Sequence, residues 1–154
     1  MLVPNQPKIY HILHVDRLAS VITDGFLWSD AEVLWRHTDG TTIGMSRIKE
    51  RRLNELNLRS HPDLRIGHCA PFYFCFRSVM LYLIHCKNEE LAYKGGQGLI
   101  VHLEADLYSV LDWATDNSKR WAFTLSNAGA YYFEDHSNVE MLSAINWDAV
   151  QARR

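Results

Sequence analysis

Six polar side chains stand inside otherwise apolar segments of this chain: His11, Arg52, Arg77, Ser78, His102 and Glu104. An imidazole on a strand can hydrogen-bond a ribose or a carboxamide. Guanidinium groups take phosphates in bidentate fashion, and Tyr10, Tyr73 and Tyr82 offer rings on which a planar ligand can stack. A dinucleotide is one ligand class that would use all three. A lone strand histidine is more often a satisfied core residue, so His11 by itself decides nothing. The run 71–85, PFYFCFRSVMLYLIH, is the most informative stretch, because it is aromatic and strand-like yet carries Arg77 and Ser78 at its centre. It reads as the wall of a polar pocket. No GxGxxG follows a strand, and Gly95-Gly96-Gln97-Gly98 leads into a strand instead of opening a helix, which argues against a Rossmann site; a P-loop is absent too.

The elements that must position these residues follow from local pattern. Residues 9–14, IYHILH, alternate and are β-branched or aromatic, so a strand is expected. Asp16 is placed to cap a helix carrying Leu18, Val21 and Ile22, which Gly25 ends. Residues 28–42 hold no clear period and read as a loop lying over something. Ser46 is placed to cap a second helix with Ile48, Arg52, Leu53 and Leu56 on its buried stripe. A strand follows from 71, with 80–85 satisfying both the strand and the helix period. Residues 99–103 are the clearest strand, Asp106 caps a helix toward Trp113, 121–124 form another strand, and 126–129 a tight bend. Met141, Leu142, Ile145 and Trp147 cluster, with a helix over 147–152 before the sequence ends at Arg153-Arg154. Strands and helices in this order, without repeats or linkers, make one α+β domain.

Composition bounds the rest. A chain of 154 residues can bury a core without disulfides or metal. A net charge of -2 gives no global attraction to nucleic acid or membrane, so a polyanion must be held by a local patch. Arg47, Lys49, Arg51, Arg52 and Arg59 form the densest one, equally readable as a solvated helix face or a phosphate-binding surface. Cys69, Cys75 and Cys86 make no CxxC pair, and the neighbours His68 and His85 do not give a zinc-ligand spacing, so no metal site is expected. With neither a leader nor a bilayer-length apolar run, the expected location is the cytoplasm, without a membrane partner.

The sequence also resembles a known family, the DarT toxins, bacterial ADP-ribosyltransferases that modify a base in single-stranded DNA using NAD. The resemblance rests on Ile9-Tyr10-His11-Ile12 with His14-Val15-Asp16, Ile48-Lys49-Glu50-Arg51-Arg52, Pro71-Phe72-Tyr73-Phe74-Cys75 with Arg77-Ser78 and Met80-Leu81-Tyr82, Gly95-Gly96-Gln97, Ile100-Val101-His102-Leu103, Phe123-Thr124 and Asn146-Trp147-Asp148-Ala149. It implies an ADP-ribosyltransferase-type α+β domain with a central mixed or antiparallel split sheet and flanking helices. By carry-over it implies NAD contacts at His11, Ile12, Leu13, Ser20, Trp28 and Arg52, a catalytic role for Arg52 in preference to Arg51, and a chain segment up to Arg52 that covers the dinucleotide. Contacts to single-stranded DNA fall to Arg77, Asn127, Tyr131 and Tyr132. An antitoxin of macrodomain type, with ADP-ribosyl hydrolase activity, is the implied protein partner.

Two departures qualify this expectation. Relatives often carry an acid after Phe-Thr, where this chain has Leu125. The family's catalytic glutamate belongs to a strand after the Trp-Asp-Ala block, and the sequence ends at Arg154 before it, so a C-terminally incomplete and inactive domain is expected. Glu104 is the one strand-end carboxylate that could substitute, whereas Glu134 and Glu140 belong to the substrate-facing segment. The competing readings are a non-catalytic module that binds NAD or nucleic acid, and a transferase that acts on RNA or protein.

Overall fold

The computed structural model describes residues 2–152; Arg153 and Arg154 lie outside the described residues. Its spine is the antiparallel pair of β1, Lys8–His14, and β2, Ile100–Asp106, in a register that sets Tyr10 opposite Glu104 and Ile12 opposite His102. Alternation on β1 sends Ile9 into one core with Leu107, Leu111, Phe123, Leu142, Ile145 and Trp147. Ile12 points the other way, into a second core with Ile43, Met45, Ile84 and Leu91. One strand thus organises both halves. A second short antiparallel pair, β3 at Phe123–Thr124 and β4 at Asp135–His136, completes a split antiparallel α+β arrangement.

Among the described residues six α-helices flank these pairs: α1 Leu18–Asp24, α2 Asp30–Trp35, α3 Ser46–Asn54, α4 Val79–His85, α5 Leu107–Asp116 and α6 Trp147–Gln151. Gly25 closes α1 with φ 70°, the left-handed conformation its missing Cβ permits. Asp106 caps α5 by accepting from the Ser109 N–H at 3.0 Å. In the first core Phe74 meets Phe123 and Trp147 edge-on, and the Trp147 indole donates to the Leu142 carbonyl at 2.8 Å.

Four local expectations are corrected. Asp16 caps no helix; its carboxylate accepts from the backbone N–H and the hydroxyl of Thr41, which ties the 38–44 segment to the turn before α1. Ser46 is the first residue of α3 and makes no side-chain cap. The 28–42 segment contains α2, started by Ser29, whose hydroxyl accepts from the Glu32 N–H at 3.3 Å. The aromatic run from 71 forms a single bridge at Tyr73 and then turns, because Ser78 accepts the Leu81 N–H at 3.1 Å and so begins α4. Ser78 is therefore a helix cap and not a pocket residue.

Candidate nucleotide cleft

Backbone alternation on β1 sets the first surface of the site. Tyr10 exchanges hydrogen bonds with Tyr73, its N–H to Tyr73 O at 2.8 Å and the Tyr73 N–H to Tyr10 O at 2.7 Å. Successive residues of an antiparallel strand turn their N–H and C=O to opposite edges. Ile12 therefore presents both groups on the Tyr73 side, beyond the bridge, while His11 and Leu13 address β2. The Ile12 and Leu13 side chains are 8% and 4% exposed and belong to the interior, so Ile12 offers a ligand its backbone, whereas the Leu13 backbone is turned to β2.

A cleft of about 670 Å³ opens along this edge, within the size range of small-molecule sites, roughly 300–1,000 Å³. Residues 11–14 of β1, α1, α2, α3 and the segment leading to Met45 line it, together with Pro71, Tyr73 and Met80. The 28–52 region expected to cover a dinucleotide does form its wall, as two helices and a connecting strap rather than as a loop.

His11 sits in this wall with Nδ1 2.6 Å from the Pro71 carbonyl oxygen. A carbonyl only accepts, so Nδ1 carries the proton and donates. Burial pushes the imidazole pKa below its ordinary 6.5, the Pro71 contact and Asp30 oppose that, and Lys49 and Arg52 add to it. The ring is neutral at pH 7, which leaves Nε2 as an acceptor. The Phe72 ring packs against it at 5.9 Å, edge to face.

Ser20 and Trp28 also line the cleft. The Ser20 hydroxyl donates to Arg17 O at 2.9 Å, and the Trp28 indole donates to Asp24 at 2.9 Å. Phe26 stacks on Trp28 at 5.1 Å while the Arg36 guanidinium lies 3.9 Å from its ring centre. Arg52, in the last turn of α3, also reaches the cleft, and its Nε is buried with no hydrogen-bond partner. Asp30 supplies the other such atom among the described residues: its Oδ1 accepts from Lys49 Nζ at 2.7 Å, and its Oδ2 is buried and unpartnered. Polar atoms buried in this way cost about 1–3 kcal/mol each unless something completes them.

The four residues expected to meet DNA lie outside this cleft. Arg77 has its guanidinium 5.4 Å from the Phe76 ring centre. Asn127 accepts the Gly129 N–H at 2.8 Å. Arg51 donates to Gly129 O at 2.9 Å and stacks 4.2 Å over the Tyr131 ring, so the 127–131 loop is tied to α3 one residue before Arg52. Tyr131 and Tyr132 are 59% and 87% exposed. The basic patch of the sequence is thus dispersed: Lys49 pairs with Asp30, Arg51 holds the loop, and Arg52 enters the cleft.

Glu104 is not among the cleft residues. It stands opposite Tyr10 on β2, where burial first, and then the Glu104 carboxylate, raise the phenol's pKa. Glu134 pairs with His136 at 2.8 Å, and His102 donates to Phe76 O at 2.9 Å. The acids that line the cleft are Asp30 and Glu50. Asp30 was missed in the sequence, although Ser29-Asp30-Ala31-Glu32 carries the serine-to-glutamate spacing of a helix start. Among the described residues no group of three His, Cys, Asp or Glu is placed to hold a metal ion, and no helix is long and apolar enough to cross a membrane.

The family described as "ssDNA thymidine ADP-ribosyltransferase, DarT" matches residues 10–154. A DNA ADP-ribosyl transferase of Thermus sp. (strain 2.9) is 30% identical over 149 residues, 97% of this chain and 66% of the relative. One from Mycobacterium tuberculosis is 29% identical over 154 residues, 98% of this chain and 63% of the relative. This chain therefore spans just under two thirds of the length of those two relatives. Among solved structures, Thermus sp. 2.9 DarT in complex with ADP-ribosylated ssDNA superposes with a TM-score of 0.84 at 28% identity, covering 100% of this chain and 69% of that one. The same protein in complex with carba-NAD+ gives 0.78 at 25% identity, covering 99% and 68%.

Proposed function

This chain belongs to the DarT family, and from that membership we propose that its cleft binds NAD and serves the transfer of ADP-ribose to a thymidine base in single-stranded DNA. The observation that carries this reading is the buried, unpartnered Nε of Arg52 in a cleft that runs along the free edge of β1. A guanidinium so placed is completed by an anion, and a pyrophosphate supplies one with the planar geometry that arginine matches. The Ile12 N–H and C=O form a donor and acceptor pair on one strand edge, which is complementary to a primary carboxamide such as that of nicotinamide. Neutral His11, accepting through Nε2, suits a ribose hydroxyl. Trp28 and Ser20 extend the wall away from β1.

In the proposed reaction the bond from the ribose C1′ to nicotinamide breaks with its electron pair leaving on the nicotinamide nitrogen. A bond then forms from a base nitrogen to C1′, and the base loses a proton. Arg52 acts by electrostatic orientation, because a guanidinium is already a protonated cation and takes no further proton. A base must leave its stack to reach C1′, which favours single strands. Tyr131 and Tyr132, exposed beside α3, are proposed to stack on such a strand, with Asn127 and Arg77 contributing polar contacts. The 154 residues are read as the nucleotide-holding part of a longer catalytic domain, in keeping with their share of the relatives' length. A macrodomain-type hydrolase acting as antitoxin, and a cytoplasmic location, complete the proposal.

Labelled NAD incubated with single-stranded DNA, RNA and protein in separate reactions, using this chain and one extended C-terminally to the length of its relatives, tests it. Label entering thymidine-containing single strands supports the reading. Label entering protein or RNA alone overturns the DNA assignment, and binding of NAD without transfer to any of them by the extended chain supports a non-catalytic module instead.

A further inference from the structure

The fold does not account for one carboxylate oxygen of the cleft. Asp30 gives Oδ1 to Lys49 at 2.7 Å and keeps Oδ2 buried without a partner. An ionised carboxylate only accepts, so what completes Oδ2 is an O–H or N–H donor from outside the chain. We propose that Asp30 is a specificity-determining contact whose Oδ2 takes a ribose hydroxyl of the bound nucleotide, an inference that rests on the NAD reading above.

The arrangement of the cleft favours a hydroxyl over the other donors. Asp30 and Arg52 both line the cavity with His11 and Tyr73, and both carry charges that act on the His11 and Tyr73 rings. An unfilled acceptor and an unfilled cationic donor in one cavity match the two chemistries that alternate along a nucleotide, sugar hydroxyl and phosphate. Lys49 anchors the other carboxylate oxygen and fixes its direction, so Oδ2 is held in place before a ligand arrives. The same negative charge repels a phosphate ester, so a free hydroxyl is admitted where a phosphorylated one is refused. NAD has two riboses, and both offer this chemistry.

Calorimetric titrations of the wild type, Asp30→Ala, Asp30→Asn and Lys49→Met distinguish the sources, using NAD and analogues that lack a 2′ or 3′ hydroxyl on either the nicotinamide-side or the adenosine-side ribose. Thermal unfolding establishes that each variant is folded, and Asp30→Asn, which keeps the side-chain volume, serves if the alanine variant is not. One hydroxyl deletion is expected to weaken binding to the wild type about tenfold or more, and the same deletion to cost less than about twofold in Asp30→Ala and only a few-fold in Asp30→Asn. Lys49→Met, which retains the carboxylate, should bind NAD more weakly yet keep the full dependence on that hydroxyl. Equal hydroxyl dependence in the wild type and both Asp30 variants, or none in the wild type, overturns the assignment and reduces Asp30 to a structural partner of Lys49. A wild type that does not bind NAD at all overturns the nucleotide reading instead, so the two failures are distinguishable.

Discussion

Two aspartates, one in each region of the molecule, are used in opposite ways. Asp135, on β4, is 7% exposed and has every role filled from within: it accepts from the Arg59 N–H at 2.9 Å, the Ser60 N–H at 2.9 Å and the Ser60 hydroxyl at 2.5 Å. It fastens the loop after α3 to the second strand pair. Asp30, on α2, has one internal partner for one oxygen and none for the other. A carboxylate saturated by its own chain is a structural clamp, whereas one left half-filled, in a cleft that also holds the unpartnered Arg52 Nε, is the one proposed to meet a ligand. On the proposed reading the difference separates a residue that holds the fold from one that holds the nucleotide, even though both aspartates are largely buried.

The largest effect expected to test that contrast is on Arg52. Arg52→Ala should lower NAD affinity by about a hundredfold or more, since it removes charge-assisted hydrogen bonds to phosphate, while thermal stability is unchanged or slightly raised because an unpartnered buried Nε is deleted. A variant that unfolds easily yet binds NAD normally would place Arg52 on the structural side. Asp135→Ala should do the reverse, costing about 2–3 kcal/mol of unfolding free energy with NAD affinity changed less than about twofold; denaturant melts and calorimetry on the same preparation read both.

Titration sharpens the comparison further. Burial alone would raise the Asp135 carboxyl, but its bonds to Ser60 and Arg59 outweigh this and hold it below the ordinary 3.8. Its contribution to stability is therefore present above that value and is lost as pH falls through the depressed one. His11 is the other case: its folded pKa lies below the ordinary 6.5, chiefly through burial. The unfolded chain binds the proton first on acidification, so wild-type stability should fall relative to His11→Gln as pH drops from about 6.5, by on the order of 1 kcal/mol for each pH unit between the two values. The smallest effect belongs to Tyr131→Ala, which loses an exposed cation–π contact with Arg51 and about 0.5–1 kcal/mol of stability. NAD affinity should not respond to it.

What the sequence revealed and what it hid follow physical lines. β1 was legible because alternation and β-branching speak locally, and His11 on it could be singled out for the same reason. Gly25 and Asp106 declared helix ends through conformations that few residues adopt or through a short-range cap. The path of 71–79 was not legible, since aromatic density suggests a strand whether or not a neighbour pairs with it, and here β1 offers only the Tyr10 bridge before Ser78 starts α4. Asp30 was hidden because its significance is an absence: an oxygen without a partner emerges only when α2, α3 and β1 are brought together. The dispersal of the basic patch was likewise a three-dimensional fact, as Lys49, Arg51 and Arg52 fall within four consecutive positions but turn to three different partners or surfaces on α3.

The claim that the cleft's unfilled polar atoms are completed by a nucleotide is tested most directly by following the Arg52 side-chain Nε–Hε resonance during an NAD titration. Assignment comes from its disappearance in Arg52→Lys. The resonance is expected to shift saturably, with one NAD bound per chain. Saturable binding of NAD that leaves this signal unmoved, or no binding to the folded protein, would contradict the account.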